Sequence, residues 1–317
     1  MTHERFLVTG ALGCIGAWVL RNLVRAGAAP VVFDLASDPR RLRLIMAPEE
    51  LAQITFVSGD VTDLAAVERA LDEHAVTQVI HLAALQVPFC KADPALGARV
   101  NVVGTANMFQ AVARRRERID RLVYASSIAV FDAADADPDG VVHHGAAAHP
   151  TNLYGVYKQA NEGTARIFWQ DERVSSIGLR PCVVYGPGRD QGLTSSPTQA
   201  MQAAAEGRPF RIGFGGRSDY QYADDVAKMF IAAARAPFSG AEIFNLRGSL
   251  ASMDEIVAAI RAAAPEAQID YEPKPLPFPE AYDAAPLVEL IGPLPHTPLH
   301  AAVAETIDTF RKVRSKK

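Results

Sequence analysis

The segment Thr9-Gly10-Ala11-Leu12-Gly13-Cys14-Ile15-Gly16 constrains the fold more than any other part of the chain. It follows a short apolar run at 5–9 and opens an amphipathic stretch at 14–26. Glycines at such a junction let the backbone turn tightly and approach a diphosphate, while free N–H groups at the helix start attract its charge. A glycine triplet alone is a weak sign. Here it stands between a strand and a helix, which is the context the chemistry needs.

The same alternation continues downstream. Apolar, β-branched runs at 30–34, 54–60, 78–83 and 121–126 are interleaved with helical patterns at 64–74 and 94–116. Strands apolar on both faces suit a buried parallel sheet. A helix at 154–170 and a strand at 174–180 extend the series. The expected fold is α/β: a Rossmann-type doubly wound parallel sheet with right-handed crossovers and a smaller C-terminal substrate-binding lobe. After Gly186 the chain turns to Gly, Pro and short elements. Helices are expected at 197–206, 222–236, 252–264 and 298–313, with strands at 209–213 and 242–247. The proline-rich stretch 265–296 has little periodicity and reads as an ordered wrapping loop. Residues 1–185 form the expected dinucleotide domain. Residues 186–317 form mainly the substrate lobe, with some chain returning to the first.

Composition narrows the partners. A net charge of −4 over 317 residues leaves no basic footprint, so nucleic acid and anionic membrane are not expected. No apolar stretch approaches the roughly 18 residues of a membrane span, and the first residues lack a signal core, so a cytoplasmic protein is expected. The three cysteines lie far apart without a CxxC, which argues against a disulfide framework and against a zinc site.

Asp34 ends the second strand, where a carboxylate accepts from ribose hydroxyls and repels a 2′-phosphate. NAD is therefore the expected cofactor, although Arg40 and Arg41 stand close enough in sequence to reach back toward such a phosphate. Asp60-Val61 ends the third strand, where it can meet the adenine. His81-Leu82-Ala83-Ala84 ends the fourth, where small side chains leave room for the cofactor. Tyr154 and Lys158, four apart, share one helix face. An ammonium near a phenol stabilises the phenolate and brings a group of pKa about 10 toward the working range. A Tyr/Lys pair by itself is usually a surface pair. Ser126-Ser127 at the end of the fifth strand changes that weighting, because a hydroxyl there can hold the substrate oxygen while Tyr154 takes its proton.

Taken as a set, TGxxGxxG at 9–16, Asp34, Asp60, HLAA at 81–84, NVVGT at 101–105, SS at 126–127, YxxxK at 154–158 and RPxxVYGPG at 180–188 resemble one family. It is the NAD-dependent epimerase/dehydratase branch of the extended short-chain dehydrogenase/reductase superfamily, matched from about 6 to 225, with a looser match at Thr297-Pro298-Leu299. The resemblance implies Tyr154 as catalytic acid/base, Ser127 as ligand of the substrate oxygen, and Lys158 as both partner of the tyrosine and ligand of the nicotinamide ribose. It places Asn101 on the cofactor side and Pro181 by the nicotinamide, with Val183 nearby. It implies a homodimer through a four-helix bundle of 94–116 and 154–170.

Departures from the family pattern bear on the reaction. Ile128-Ala129 follow the serine where dehydratases carry Asp-Glu, which leaves plain hydride chemistry. Relatives acting on nucleotide sugars show three marks for the diphosphate and base. Here Val183 replaces an Asn, Ser218 replaces an Arg with Arg217 one place early, and no Arg occurs from Ile269 to Thr309. A diphosphate needs cationic partners. The expected substrate is thus small and polyhydroxylated: a free sugar, a sugar acid or a polyol. Arg189, Arg217, Gln86, Ser126 and Ser127 are the candidate contacts, with Phe89 beside them. The alternatives are a nucleotide-sugar 4-epimerase that keeps NAD bound, a dinucleotide-sensing regulator, and a cysteine catalyst using Cys90 or Cys182. The last has no paired histidine in sequence. His143, His144 and His149 precede Tyr154 and read as a mobile lid at most, and no metal is expected.

Overall fold

A computed structural model describes residues 4–315. Its centre is a seven-stranded sheet in which every neighbouring pair is parallel. Five strands come from the first half: β1 (Phe6–Thr9), β2 (Val31–Asp34), β3 (Thr55–Ser58), β4 (Gln78–His81) and β5 (Leu122–Ala125). Strand Ser176–Arg180 pairs with β5, and Ala241–Asn245 closes that edge, giving the order 241–245, 176–180, β5, β4, β1, β2, β3. The order reverses between β1 and β4. Such a switch point opens a crevice at the carboxyl ends of the strands.

Alternation along the strands explains the double burial. Phe6 and Val8 enter one core with Val32, Ile80 and Val123, while Leu7 enters the opposite one with Val31, Phe33, Val79 and Leu122. The exception is β3, an edge strand whose Phe56 is 48% exposed, so its apolar pattern is not that of a buried strand. Helix α1 (Cys14–Arg25) packs on helix Ala223–Arg235, where Asn22 Nδ2 donates to Asp224 Oδ1 at 2.8 Å. The second half therefore supplies both an edge strand and a covering helix to the first. The rest of it builds a smaller lobe around strands Val183–Tyr185, Arg217–Tyr222 and Ser249–Ser252.

Three expectations need correction. The helix expected at 94–116 is Pro94–Ala98, a π-helical turn Arg99–Val103, and Gly104–Ala113. The stretch 265–296 is not merely a loop. It holds strands Ile269–Tyr271 and Ala281–Tyr282 and helix Ala285–Ile291, whose Pro286 sits in the first turn, where no N–H is needed. The first half also contains short helices beyond the expected set, among them α2 (Arg40–Ile45), which lies beside α1. No described helix is long and apolar enough to cross a membrane.

Beneath the crevice lies a buried ion pair. Glu162, on helix Leu153–Glu172, accepts from Arg180 Nε and Nη2 at 2.8 Å each and from Ser126 Oγ at 2.5 Å. Both side chains are 8% exposed. Removing one charge strands the other in a dry setting. Glu162→Gln is expected to cost about 3–5 kcal/mol of stability, read as a shifted urea midpoint at unchanged slope.

Candidate active site

The glycine turn is built by close approach. Gly10 has φ +60°, and a Cβ there would lie 2.5 Å from Ala83 N, so the turn after β1 rests on the chain leaving β4. A Cβ on Gly16 would meet Ala11 Cα at 2.6 Å. Gly13 N donates to Gly10 O at 3.0 Å, and no side chain caps the start of α1 at Cys14 and Ile15. An uncapped helix start behind a turn with glycines at 10, 13 and 16 is a cradle for a diphosphate. Asp34 lies at its rim, with Oδ2 accepting Leu12 N at 2.9 Å and Oδ1 accepting Ala36 N at 2.9 Å. Asp60 Oδ1 accepts Thr62 N at 2.8 Å, and buried Val61 packs where Gly104 leaves space. These residues fit NAD, which Gly10, Gly13, Cys14, Ile15 and Gly16 would hold by its diphosphate, Asp34 by its ribose hydroxyls, and Asp60 and Val61 at its adenine end.

The opposite wall is fixed by buried polar bonds. Thr105 Oγ1 donates to Asn101 O at 2.7 Å, so it must accept from His81 Nε2, 3.1 Å away. That leaves His81 Nδ1 to accept from Thr9 Oγ1 at 2.6 Å. Burial pushes His81 down to about 3, so it stays neutral and joins β1, β4 and the helix at 104–113. Asn101, fully buried in the π-turn, grips Leu85 with Oδ1 to its N–H at 2.7 Å and Nδ2 to its carbonyl at 2.9 Å. It thereby sets the path of Leu82, Ala83, Ala84 and Gln86. Of this frame, sequence reading singled out Asn101 and missed the roles of His81 and Thr105.

Tyr154 and Lys158 stand one turn apart on helix Leu153–Glu172, started by Asn152, whose side chain accepts Gly155 N at 3.0 Å. Gly155 matters more than its neighbours suggest. A Cβ there would lie 2.0 Å from Ala129 O, so only glycine lets the helix press against the turn at 128–130 that Ser127 caps. This brings Ser127, whose Oγ accepts Ala129 N at 3.1 Å, close enough to Tyr154 to pull its pKa down. Lys158 Nζ donates to Ala125 O at 2.7 Å and sits 5.5 Å from the Tyr154 ring centre. Burial raises the Tyr154 pKa above the ordinary phenol range, against the lowering pull of Ser127 and Arg189. The expected lowering by Lys158 does not dominate here. Lys158 itself is pushed by burial down to about 8.

The candidate substrate contacts divide. Ser126 is not available to a substrate: it is buried and its hydroxyl is spent on Glu162. Arg217 lies exposed at the start of its strand, opposite Ser252 in the antiparallel register. Gln86 and Arg189 meet over Gly192, and both carry a buried atom without a partner among the described residues, Gln86 Oε1 and Arg189 Nε. Arg189 Nη2 donates to Thr194 Oγ1 at 3.1 Å, and its charge is felt by both Tyr154 and Cys14. Pro181 is buried and its carbonyl accepts Ile128 N at 3.2 Å. Val183 is core, 1% exposed. Phe89 is 45% exposed. Burial raises the Cys90 and Cys182 thiols, so neither is a ready nucleophile. Among the described residues no three His, Cys, Asp or Glu side chains are grouped to hold a metal. His143 and His149 pair instead with Asp139 and Asp135.

Fold and crevice together define a dinucleotide-dependent oxidoreductase of the extended short-chain type. The chain belongs to the NAD dependent epimerase/dehydratase family, whose model matches residues 6–246, and its cofactor is NAD. It is similar to a UDP-glucose 4-epimerase of Mycolicibacterium smegmatis, 30% identical over 97% of this chain and 98% of the relative. Among solved structures it resembles the UDP-glucose 4-epimerase of Thermus thermophilus in complex with NAD, with 25% identity, TM-score 0.81, and 97% and 99% of the two chains covered. A partial consensus L-threonine 3-dehydrogenase shares the fold at TM-score 0.85 and 22% identity, covering 98% and 100%.

The buried ammonium of Lys158 works against stability. Between about 8 and the ordinary lysine value of about 10.4 the unfolded chain holds the extra proton, so the stability of the cofactor-free protein rises with pH across that window. Lys158→Met is expected to stabilise that protein at neutral pH by roughly 1–3 kcal/mol and to flatten this pH dependence, as thermal melts from pH 7 to 10 will read.

Proposed function

We propose that this enzyme is an NAD-dependent dehydrogenase that oxidises a hydroxyl-bearing carbon of a small polyhydroxylated acid. The observation that carries this is Arg189, whose Nε is buried with no partner among the described residues and whose charge pulls the Tyr154 pKa down. A half-buried guanidinium near Tyr154 suits a carboxylate, which it can grip in a fork. Gln86, with its own unpartnered oxygen, is placed to take a substrate hydroxyl. The absence of arginine from 269 to 309, and the outward position of Arg217, speak against a second anchoring point for a diphosphate.

In this reading Ser127 and Tyr154 hold the hydroxyl of the carbon that reacts, and bound NAD supplies the hydride acceptor. Tyr154 takes the hydroxyl proton as the carbonyl forms. Lys158, anchored on Ala125 O, orients the ribose. Because burial keeps Tyr154 a phenol, it is a proton donor as it stands but must lose its proton before acting as a base. Oxidation is therefore expected to speed up toward alkaline pH, while reduction is not. Initial rates in both directions from pH 6 to 10 check the asymmetry.

The second reading is a nucleotide-sugar 4-epimerase, favoured by the near full-length similarity to the Mycolicibacterium smegmatis epimerase. The two separate cleanly. Steady NADH formation with sugar acids and none with UDP-hexoses supports the dehydrogenase, whereas interconversion of UDP-hexoses without net NADH supports the epimerase and ends the first reading. With the active substrate, Tyr154→Phe is expected to lower kcat by roughly 10²–10⁴-fold while NADH still binds. Arg189→Ala is expected to raise KM by about 10- to 100-fold.

A homodimer belongs to the same proposal. Leu96, Val103, Leu153, Val156 and Ile167 are 41–47% exposed on the two helical segments expected to form a four-helix bundle. Apolar side chains in such number on neighbouring helices suit a covered face. Sedimentation should give twice the chain mass, and Val103→Glu with Val156→Glu should give the monomer.

A further inference from the structure

Arg40 and Arg41 open α2, shortly after the strand that carries Asp34. Arg41 Nη1 donates to Leu12 O at 2.9 Å, and Leu12 N donates to Asp34 Oδ2 at 2.9 Å. The backbone of one residue thus carries both the guanidinium and the carboxylate. Any group on the ribose that Asp34 holds is within reach of Arg41. A carboxylate at the end of the second strand favours a 2′-hydroxyl, and a nearby arginine accommodates a 2′-phosphate. This chain has both, and a third residue arbitrates.

That residue is Asp190, on the loop after Gly188. Its Oδ1 accepts from Arg41 Nε at 3.0 Å and Nη2 at 2.6 Å, and its Oδ2 accepts from Arg40 Nη2 at 3.1 Å. With the bond to Leu12, every nitrogen of the Arg41 guanidinium is engaged. Asp190 is itself held in place. Gln199 Nε2 donates to its carbonyl at 3.0 Å, Trp18 Nε1 donates to Pro187 O at 3.0 Å, and Arg41 lies along Gly188, whose φ is +94°.

We propose that the adenosine end of the groove contains a latent site for a 2′-phosphate, formed by Arg40 and Arg41 and occupied by the Asp190 carboxylate. A carboxylate and a phosphate offer a guanidinium the same paired oxygens. Asp190, tethered beside its partners, competes at an effective concentration that a dissolved ligand does not reach. Selectivity for NAD then rests on two acids from distant parts of the chain. Asp34 accepts the ribose hydroxyl and repels a phosphate, while Asp190 fills the seat the phosphate would take. The second control is invisible in the motif that follows β2, because Asp190 lies 149 residues from Arg41.

The test is calorimetric titration of NADH and NADPH, without substrate, into the full chain carrying Asp34→Asn, Asp34→Asn with Asp190→Asn, and both with Arg40→Ala and Arg41→Ala. Adding Asp190→Asn to Asp34→Asn is expected to shift the preference toward NADPH by about tenfold or more. Removing the two arginines is expected to abolish the shift. An NADPH-to-NADH affinity ratio unchanged by Asp190→Asn overturns the proposal, as does a shift that persists without the arginines. Should the combined variants fail to bind NADH, Asp190→Asn alone gives the same comparison against the unsubstituted protein. Since only cofactor is titrated, the result does not depend on which substrate the enzyme takes.

Discussion

The Glu162–Arg180 pair is the constraint from which the working geometry follows. Glu162 reaches Ser126 at the end of β5 and Arg180 on the next strand, and Arg180 Nη1 reaches Asn245 Oδ1 on the edge strand at 3.3 Å. One carboxylate thus ties helix Leu153–Glu172 to three neighbouring strands. Tyr154, Lys158 and Glu162 follow at intervals of four and share one helix face. The lowest residue anchors, the middle one bonds the end of β5, and the highest meets Ser127. Two charges taken from water gain little net stability unless every oxygen and N–H is answered. Here the carboxylate takes three donors and the guanidinium stacks 4.6 Å from the Phe131 ring, so the pair serves orientation more than stability.

Much of this was legible from residue order because the signals were local. The glycine turn needs its glycines adjacent, and the phenol and ammonium need a spacing of four, so 9–16 and 154–158 announce themselves. Continuous apolar runs located six of the seven central strands, although β3 carries such a run without burial on both faces, and the seventh appeared only as an unassigned strand at 242–247. What stayed hidden depends on distant partners. Ser126 looked like a substrate ligand because nothing nearby in sequence discloses Glu162, 36 positions away. Arg217 looked useful by its place before Asp219-Tyr220, yet it is the exposed first residue of a strand that is otherwise buried. The importance of Gly155 lies in its close approach to Ala129, which only the folded chain makes.

Charge in the crevice is distributed by neighbouring residues that face different ways. Arg189 turns toward Tyr154, Gln86 and Thr194, and Asp190 turns toward α2. A single short loop from the C-terminal lobe therefore serves the reacting end and the adenosine end of one elongated groove. The lobe is small, but it reaches both ends because Trp18 fastens the loop across α1.

The π-helical turn at 99–103 sets a limit of a different kind, on length rather than identity. A π-turn holds one residue more than the α-helical turn it replaces. Each residue rotates an α-helix by about 100°, so losing that extra residue would swing everything after Val103 by more than a quarter turn. Thr105 would leave His81, and Gly104 would leave Val61. Most single substitutions along 94–113 alter one contact, but a one-residue deletion there would take apart the wall of the groove. The wall of the groove thus depends on the number of residues in this turn as much as on their identity.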